Sequence, residues 1–568
     1  MGFAGNHVLG IQAENASWNL GSKKSTSGVR PKSPADTRAR DSRSAASSPE
    51  NTRQNRTIPL NAAAAGSPSA APTSVEAVQT SMATTATPWL SIANGKLSYH
   101  KDSQGNRIPD FSQVGYHAGD ASIPAVAVKQ TVAAKAAGDD TARIQKAIDA
   151  VGATGKPGAV LLGAGTFRLS GTLALDYSGV VLRGSGRTGS TQTMLRGTGG
   201  PHTLINVGAS AGAPVRVGSK LAVKDSYVPV GAISLNVTGA AAGLKAGDTV
   251  IVQRPQEANW ITALGMDKIP ARADGSPISQ WTAGAGQQFE RTVRAVSGTK
   301  VTLDVPLTNA LESTYTHATV WKYTFAQRIS EAGVENLAAN GSAMEADASW
   351  LDGGYFASGL VNVDRAQNSW VRNVTATRFG SAFNLGPQAL RVSLLKTWSL
   401  NESVPQDITA QPAAYTNSGQ QNLVSGCRVT GSNLHAWTQQ ARVPGPNVFT
   451  DCSATNTGTR IFDAGPHQRW SSGTLYDRMT TTGKILLVDR GAAGSGQGWA
   501  GANDVMYNCG TGSYLVENPP TAHNWAIGNT GTKSAAPAGH VLGEYQDANS
   551  ALPASLYLEQ LTERQAAG

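Results

Sequence analysis

The chain has 568 residues, 40% apolar, 6% aromatic and 15% charged, with 63 glycines and 27 prolines, which describes a turn-rich β protein with material for a large core. No apolar run reaches the ~18 residues of a bilayer-spanning helix, so neither a helical membrane protein nor a membrane partner is expected. Of the net charge of +9, residues 1–60 carry +5 (nine Lys/Arg against four acids), and the remaining 508 residues show no basic face interleaved with aromatics, so nucleic acid is not an expected partner.

Residues 1–87 are rich in Ser, Ala, Thr, Pro and Asn and nearly free of aromatics, too poor in apolar surface to offset the ~1–2 kcal/mol per residue of backbone ordering. A disordered leader is expected. Its first twenty residues lack the basic n-region and continuous apolar h-region of a Sec signal peptide, and Asn6 stands where a myristoylation motif wants Ser or Thr. A long Ser-rich leader of this kind resembles the secretion leaders of bacterial type III effectors, which implies a secreted or extracellular protein reaching its place by a non-Sec route. An unstructured tail with no such role is the alternative.

Residues 88–217 form a leading segment, a short helix and the first strands. Asp139 or Asp140 can cap the helix, and Ile144, Ala147, Ile148 and Val151 recur on one face. Ala159–Leu162, Thr172–Leu175 and Val180–Leu182 follow one another too closely for βαβ crossovers. A coil of strands plugged by the helix fits them.

Residues 218–325 break this rhythm with alternating strands joined by Gly turns, as in GLKAGDTVIV, and read as an inserted β subdomain. The coil resumes over 326–545. Leu337, Val374, Leu395, Cys427, Cys452, Leu475 and Cys509 fall at equivalent strand positions at steps of 37, 21, 32, 25, 23 and 34 residues. A solenoid coil needs ~20–30 residues, with the excess in loops. All three cysteines then sit as small apolar groups inside the coil, reduced and roughly stacked; no CxxC or Cys/His spacing points to a metal. Residues 546–568 end the chain with a helix that Ser555 can cap.

Two strings carry the fold: Asp139–Asp149 (DDTARIQKAID) and Gly158–Phe167 (GAVLLGAGTF). They resemble the DDT-x-x-IQ-x-AID helix and G-x-V-x-L-x-x-G-T-F/Y strand that open the pectate-lyase-like superfamily. The resemblance implies an all-β right-handed parallel β-helix with an N-terminal capping helix, acting on carbohydrate. Further strings, including WVRNVT, GPNVF and SLYLEQL, extend the likeness over Asp110–Arg564 to a bacterial group of these proteins. No catalytic residue is carried over from it.

Polar chemistry concentrates between His435 and Trp525. Neighbouring rungs of a stacked coil lie ~4.8 Å apart, so Asp463, His467 and Arg469 are expected beside Asp489, Arg490 and Gln497 in one groove. His435, Trp437, Trp470, Gln497 and Trp499 would bind substrate, the indoles as flat faces for sugar rings and the arginines as forks for carboxylates. An acidic polysaccharide is the expected partner. Cleavage by β-elimination needs removal of the proton α to a uronate carboxylate, with His467 as base and Arg469 or Arg490 neutralising the anion. An inverting hydrolase would instead need two carboxylates ~6.5–9.5 Å apart, supplied from Asp463, Asp489 and Asp504. A non-catalytic glycan-binding β-helix would need the indoles alone. Superfamily lyases commonly hold Ca²⁺ with Asp clusters; none is evident here, so Ca²⁺ stays open and no other cofactor is expected. Asn373, Asn422 and Asn508 read as stacked turn residues, Trp398 as packing, and Gly491–Gly501 as a weak phosphate-cradle pattern.

Overall fold

The computed structural model describes residues 88–567 apart from 240, 242, 273, 346–356, 402–412, 432–434, 457–461 and 547–551. The expected disordered leader, 1–87, lies outside the described residues.

Three short strands make the first turn of chain, and each meets its counterpart one turn later. Gly158–Leu162 pairs in parallel with Val180–Gly184, Gly165–Leu169 with Thr193–Gly199, and Leu173–Leu175 with Thr203–Val207. Repetition of this pattern gives three parallel ladders, which together form a sheet of 29 strands wound as a right-handed β-helix. The helix Thr141–Gly152 buries Ile144, Ile148 and Val151 against the open first turn. Asp139 accepts from the Thr141 N–H at 3.3 Å, and the buried Asp140 accepts from the Arg168 N–H at 3.1 Å, tying the helix start to the coil.

Where the first ladder passes to the second, a single residue with positive φ makes the corner. On successive rungs these are Asn336, Asn373, Lys396, Gly426, Asp451, Arg478, Asn508 and Gly528. Asn and Gly tolerate that conformation best, and Asn373 Nδ2 donates to Asn336 Oδ1 at 2.8 Å. Behind the first seven of these corners an inward side chain stacks: Leu337, Val374, Thr397, Cys427, Cys452, Met479 and Cys509. The register thus replaces the expected Leu395 and Leu475 by Thr397 and Met479. Leu475 points out of the coil into a second apolar cluster. The three thiols are free and buried, Cys427 and Cys452 on adjacent rungs.

The outer face of the first ladder is itself covered. Val448, Leu475, Val505 and Trp525 pack with Leu90, Leu97, Ile108 and Phe111 of the leading segment and with Leu556 and Tyr557 of the C-terminal helix Leu556–Ala566. Ser555 caps that helix by accepting from Leu558 N–H, and Asp477 accepts from both Ser555 Oγ and Leu556 N–H.

The inserted segment is a six-stranded antiparallel sheet with its own core around Val250, Phe289 and Val320. Its first strand starts at Val215, slightly before the expected edge at 218. It docks on the coil through buried polar contacts. Gln287 Nε2 donates to the carbonyls of Val443 and Trp470, and the fully buried Arg291 donates to the Gly445 carbonyl at 2.8 Å. Arg328 and Tyr323 close on Glu290 at the same seam.

Candidate functional site

The third ladder places His435 and Asp463 side by side, because each opens its strand and the two are in register. His435 Nδ1 hydrogen-bonds Asp463 Oδ1, and Arg490 Nη2 donates to Asp463 Oδ2 at 2.8 Å. Only about a tenth of each of these side chains reaches solvent: 11% for His435, 9% for Asp463 and 12% for Arg490. Burial alone would raise the Asp463 carboxyl, but the His435 and Arg490 charges and hydrogen bonds outweigh it and hold it well below the usual carboxylate range. Asp463 is therefore a fixed anion, unsuited to giving or taking protons near neutrality.

His467 completes the cluster. Its ring lies 4.8 Å from that of His435 at 77°. Burial, then the His435 and Arg490 charges, push its imidazole well below the ordinary histidine range, so it is neutral. Gln497 Nε2 stands 3.1 Å from His467 Nε2, and His467 Nδ1, Gln497 Oε1 and Arg490 Nε have no partner among the described residues. If the Gln497 amide is turned over, its Oε1 accepts from Nε2–H and the Nδ1 lone pair is freed. The arrangement sets an imidazole with an unpartnered Nδ1 within electrostatic reach of a guanidinium with an unpartnered Nε, both atoms buried from solvent.

The Gly-rich run supports Arg490 and is no phosphate cradle. Its N–H groups are used within the loop: Gly491 N donates to Asp489 Oδ1, Gly498 N to the Gly491 carbonyl and Gln497 N to the Ala493 carbonyl, while Arg490 N donates to the Gly498 carbonyl.

The structure brings His435, Asp463, His467, Arg490 and Gln497 together, and leaves the other expected residues out. Arg469 Nη2 donates to the Ser495 carbonyl at 3.1 Å and fastens the Gly-rich loop. Asp489 is turned to the Gly491 N–H, and burial raises its carboxyl despite that bond. Asp504 is wholly buried, accepts from the Thr474 N–H, and is pushed well up by burial. None of the three indoles is an open platform. Trp437 lies in the coil core. Trp470 and Trp499 are buried under Trp260, Met266 and Trp281 of the insert, Trp470 edge-on to Trp260 at 4.8 Å. The expected groove at these two residues is thus filled by the inserted subdomain, a contact more than 180 residues away in sequence that local reading does not show. Tyr476, missed in the sequence, lies within electrostatic reach of Asp463 and Arg490; its register pairing with Phe449 places it inside the coil. Trp398 is no core residue but is half-buried on the second ladder. Asn422 behaves as expected, accepting from the Val392 N–H.

Calcium does not fit these residues. Asp463 is the cluster's single carboxylate and is already held by Arg490 and His435; among the described residues no group of three or more His, Cys, Asp or Glu side chains converges elsewhere.

Residues 131–208 match a family model described as rhamnogalacturonase A/epimerase, pectate lyase-like. No curated protein matches the chain. Among solved structures, a polygalacturonase from Erwinia carotovora ssp. carotovora is 11% identical with a TM-score of 0.36, covering 76% of this chain and 99% of that one. The Gp54 tailspike of Acinetobacter baumannii bacteriophage AP22, solved with capsular saccharide, is 11% identical with a TM-score of 0.32, covering 73% of this chain and spanning 64% of the tailspike. PfbA, a surface adhesin of Streptococcus pneumoniae, is 7% identical with a TM-score of 0.29, covering 72% and 89%.

Proposed function

We propose that this member of the pectate-lyase-like superfamily cleaves an acidic polysaccharide by β-elimination at the His435–Asp463–Arg490–His467 cluster. One observation carries the reading: Arg490 donates to Asp463 at 2.8 Å, Asp463 also takes His435, and the His467 ring lies 4.8 Å from that of His435, so that burial and these neighbouring charges push its imidazole below the ordinary histidine range. In this reading Arg490 faces the uronate carboxylate and stabilises the negative charge that builds on it. His467 takes the proton from the carbon α to that carboxylate. The electron pair of the broken C–H bond forms the new C=C bond, the glycosidic C–O bond breaks, and the departing oxygen is protonated from solvent. Asp463 keeps Arg490 and His435 in place. A carboxylate pair for hydrolysis is poorly supplied, since Asp504 is wholly buried and Asp463 is committed to its partners. Asp489, with its raised carboxyl, is the one group that favours a hydrolytic acid.

Digestion of polygalacturonate with ultraviolet detection tests this. New absorbance from an unsaturated uronate supports elimination. Products carrying solvent ¹⁸O without absorbance would establish hydrolysis, and tight binding with no cleavage would make the protein a glycan-binding β-helix. A secreted, extracellular place of action, with polysaccharide as partner, belongs to the same proposal.

A further inference from the structure

The second ladder carries a surface that the cluster does not use. The loop 185–192 brings Arg187 across neighbouring rungs to Trp398, with its guanidinium carbon 3.6 Å from the indole centroid and Nη1 donating to the Lys396 carbonyl at 2.9 Å. On the next rung Arg428 pairs with Trp398 and places its guanidinium 5.9 Å from the same ring. Lys396 and Arg428 are exposed. Among the described residues, none of Arg187, Lys396 and Arg428 has a carboxylate partner. Two guanidiniums on one indole, with no carboxylate partner among the described residues, repel one another unless an anion joins them. The indole face and the Lys396 carbonyl hold Arg187 in one pose, leaving its remaining donors in a preformed fork suited to a carboxylate.

The same column continues upward in register from Arg428 to Ser453 and Thr480. Those two residues line an open groove of about 550 Å³, with Asn508 beside them and with Arg478 already paired to the Asp451 carboxylate at 3.0 Å, so the groove end offers hydroxyls and an amide while the free positive charge stays on Arg187 and Arg428. That volume lies within the ~300–1,000 Å³ of small-ligand sites. A strip of cations leading into hydroxyl and amide groups, one contact per ~4.8 Å rung, matches an extended chain that bears both carboxylates and hydroxyls.

We propose that this flank is a second binding site, for an acidic glycan strand, with carboxylates on Arg187 and Arg428 and hydroxyls of the following units on Ser453 and Thr480. It lies on a different ladder from the His435–Asp463 pair and acts whether or not cleavage takes place, so it goes beyond the catalytic reading. Calorimetric titration of the full chain with polygalacturonate, carried out in the His467→Ala background so that no ligand is consumed, tests it. The Arg187→Ala/Arg428→Ala pair should weaken binding at least tenfold. Thr480→Trp, which fills the groove without removing charge, should weaken it severalfold. Unchanged affinity in both variants overturns the proposal. So does neutral dextran binding as tightly as polygalacturonate, or duplex DNA binding as tightly and losing its affinity through the same substitutions.

Discussion

His435 and Asp463, separated by 28 residues in sequence, stand on adjacent rungs of the third ladder and share a hydrogen bond from Nδ1 to Oδ1. The same carboxylate takes Arg490 on its other oxygen. One anion therefore orients two cationic or potentially cationic groups, and His467 feels both as repulsion. That relationship sets the expected pH behaviour of the cluster.

A base works only when unprotonated, and the His467 imidazole is held well below its ordinary value of 6.5. Elimination should stay constant as pH falls through 6.5 and decline only at lower pH. An acid limb centred at or above 6.5 would show that another group is the base. His467→Ala should lower kcat by ~100-fold or more, with circular dichroism unchanged. Asp463→Asn should also lower kcat while leaving the product chemistry the same.

Asp477 fastens the C-terminal helix, accepting from Thr450 Oγ at 2.9 Å and from Ser555 and Leu556. Burial raises its carboxyl from 3.8 to about 6. The native state thus keeps a proton that the unfolded chain releases, so stability should fall as pH rises from 3.8 to about 6 and then level off. The size is on the order of 3 kcal/mol. Asp477→Asn, which keeps polar partners for both hydroxyls, should flatten this part of the melting-temperature profile. A wild-type profile rising over the same interval would refute the assignment.

His523 ties the leading segment to the coil: Nε2 lies 3.2 Å from Asp102 Oδ2 and Nδ1 3.1 Å from Glu544 Oε1. Burial lowers this imidazole, but the two carboxylates more than compensate and raise it above 6.5. Its contribution is fully present below 6.5 and is lost as pH rises through the higher native value. Hydrogen-exchange protection factors in residues 89–106, with the base-catalysed intrinsic rate divided out, should therefore fall on going from neutral to alkaline pH, and His523→Gln should remove that fall.

Cys427, Cys452 and Cys509 are buried and free, and burial raises the Cys509 thiol. A thiol reagent should find almost no reactive group in native protein and three in denaturant. A native disulfide or stoichiometric zinc would contradict the stack.

Removal of residues 1–87 should leave the melting temperature within a few degrees of full length, because that segment offers little apolar surface to bury. A loss of many degrees would show that it packs on the coil.

The winding of the chain was legible in its residues. Three brief apolar strands between Gly-rich turns cannot bury their faces except against the next copy of themselves, and the apolar face of Thr141–Gly152 needs an open coil end to cover. The column of Cys427, Cys452 and Cys509 followed from the same periodicity. Tertiary structure alone decided which side of each strand is inside. Leu395 and Leu475 look like core residues, yet register puts Thr397 and Met479 there. The outer face of the first ladder is also apolar, since the leading segment and terminal helix cover it, so hydrophobicity does not separate in from out. The functional strings divided for a similar reason. His435, Asp463 and His467 meet because rungs stack at a fixed spacing. Trp470 and Trp499 were lost as platforms because a helix and loop of the inserted segment, far away in sequence, fold onto them, and no local pattern records what a distant segment will cover.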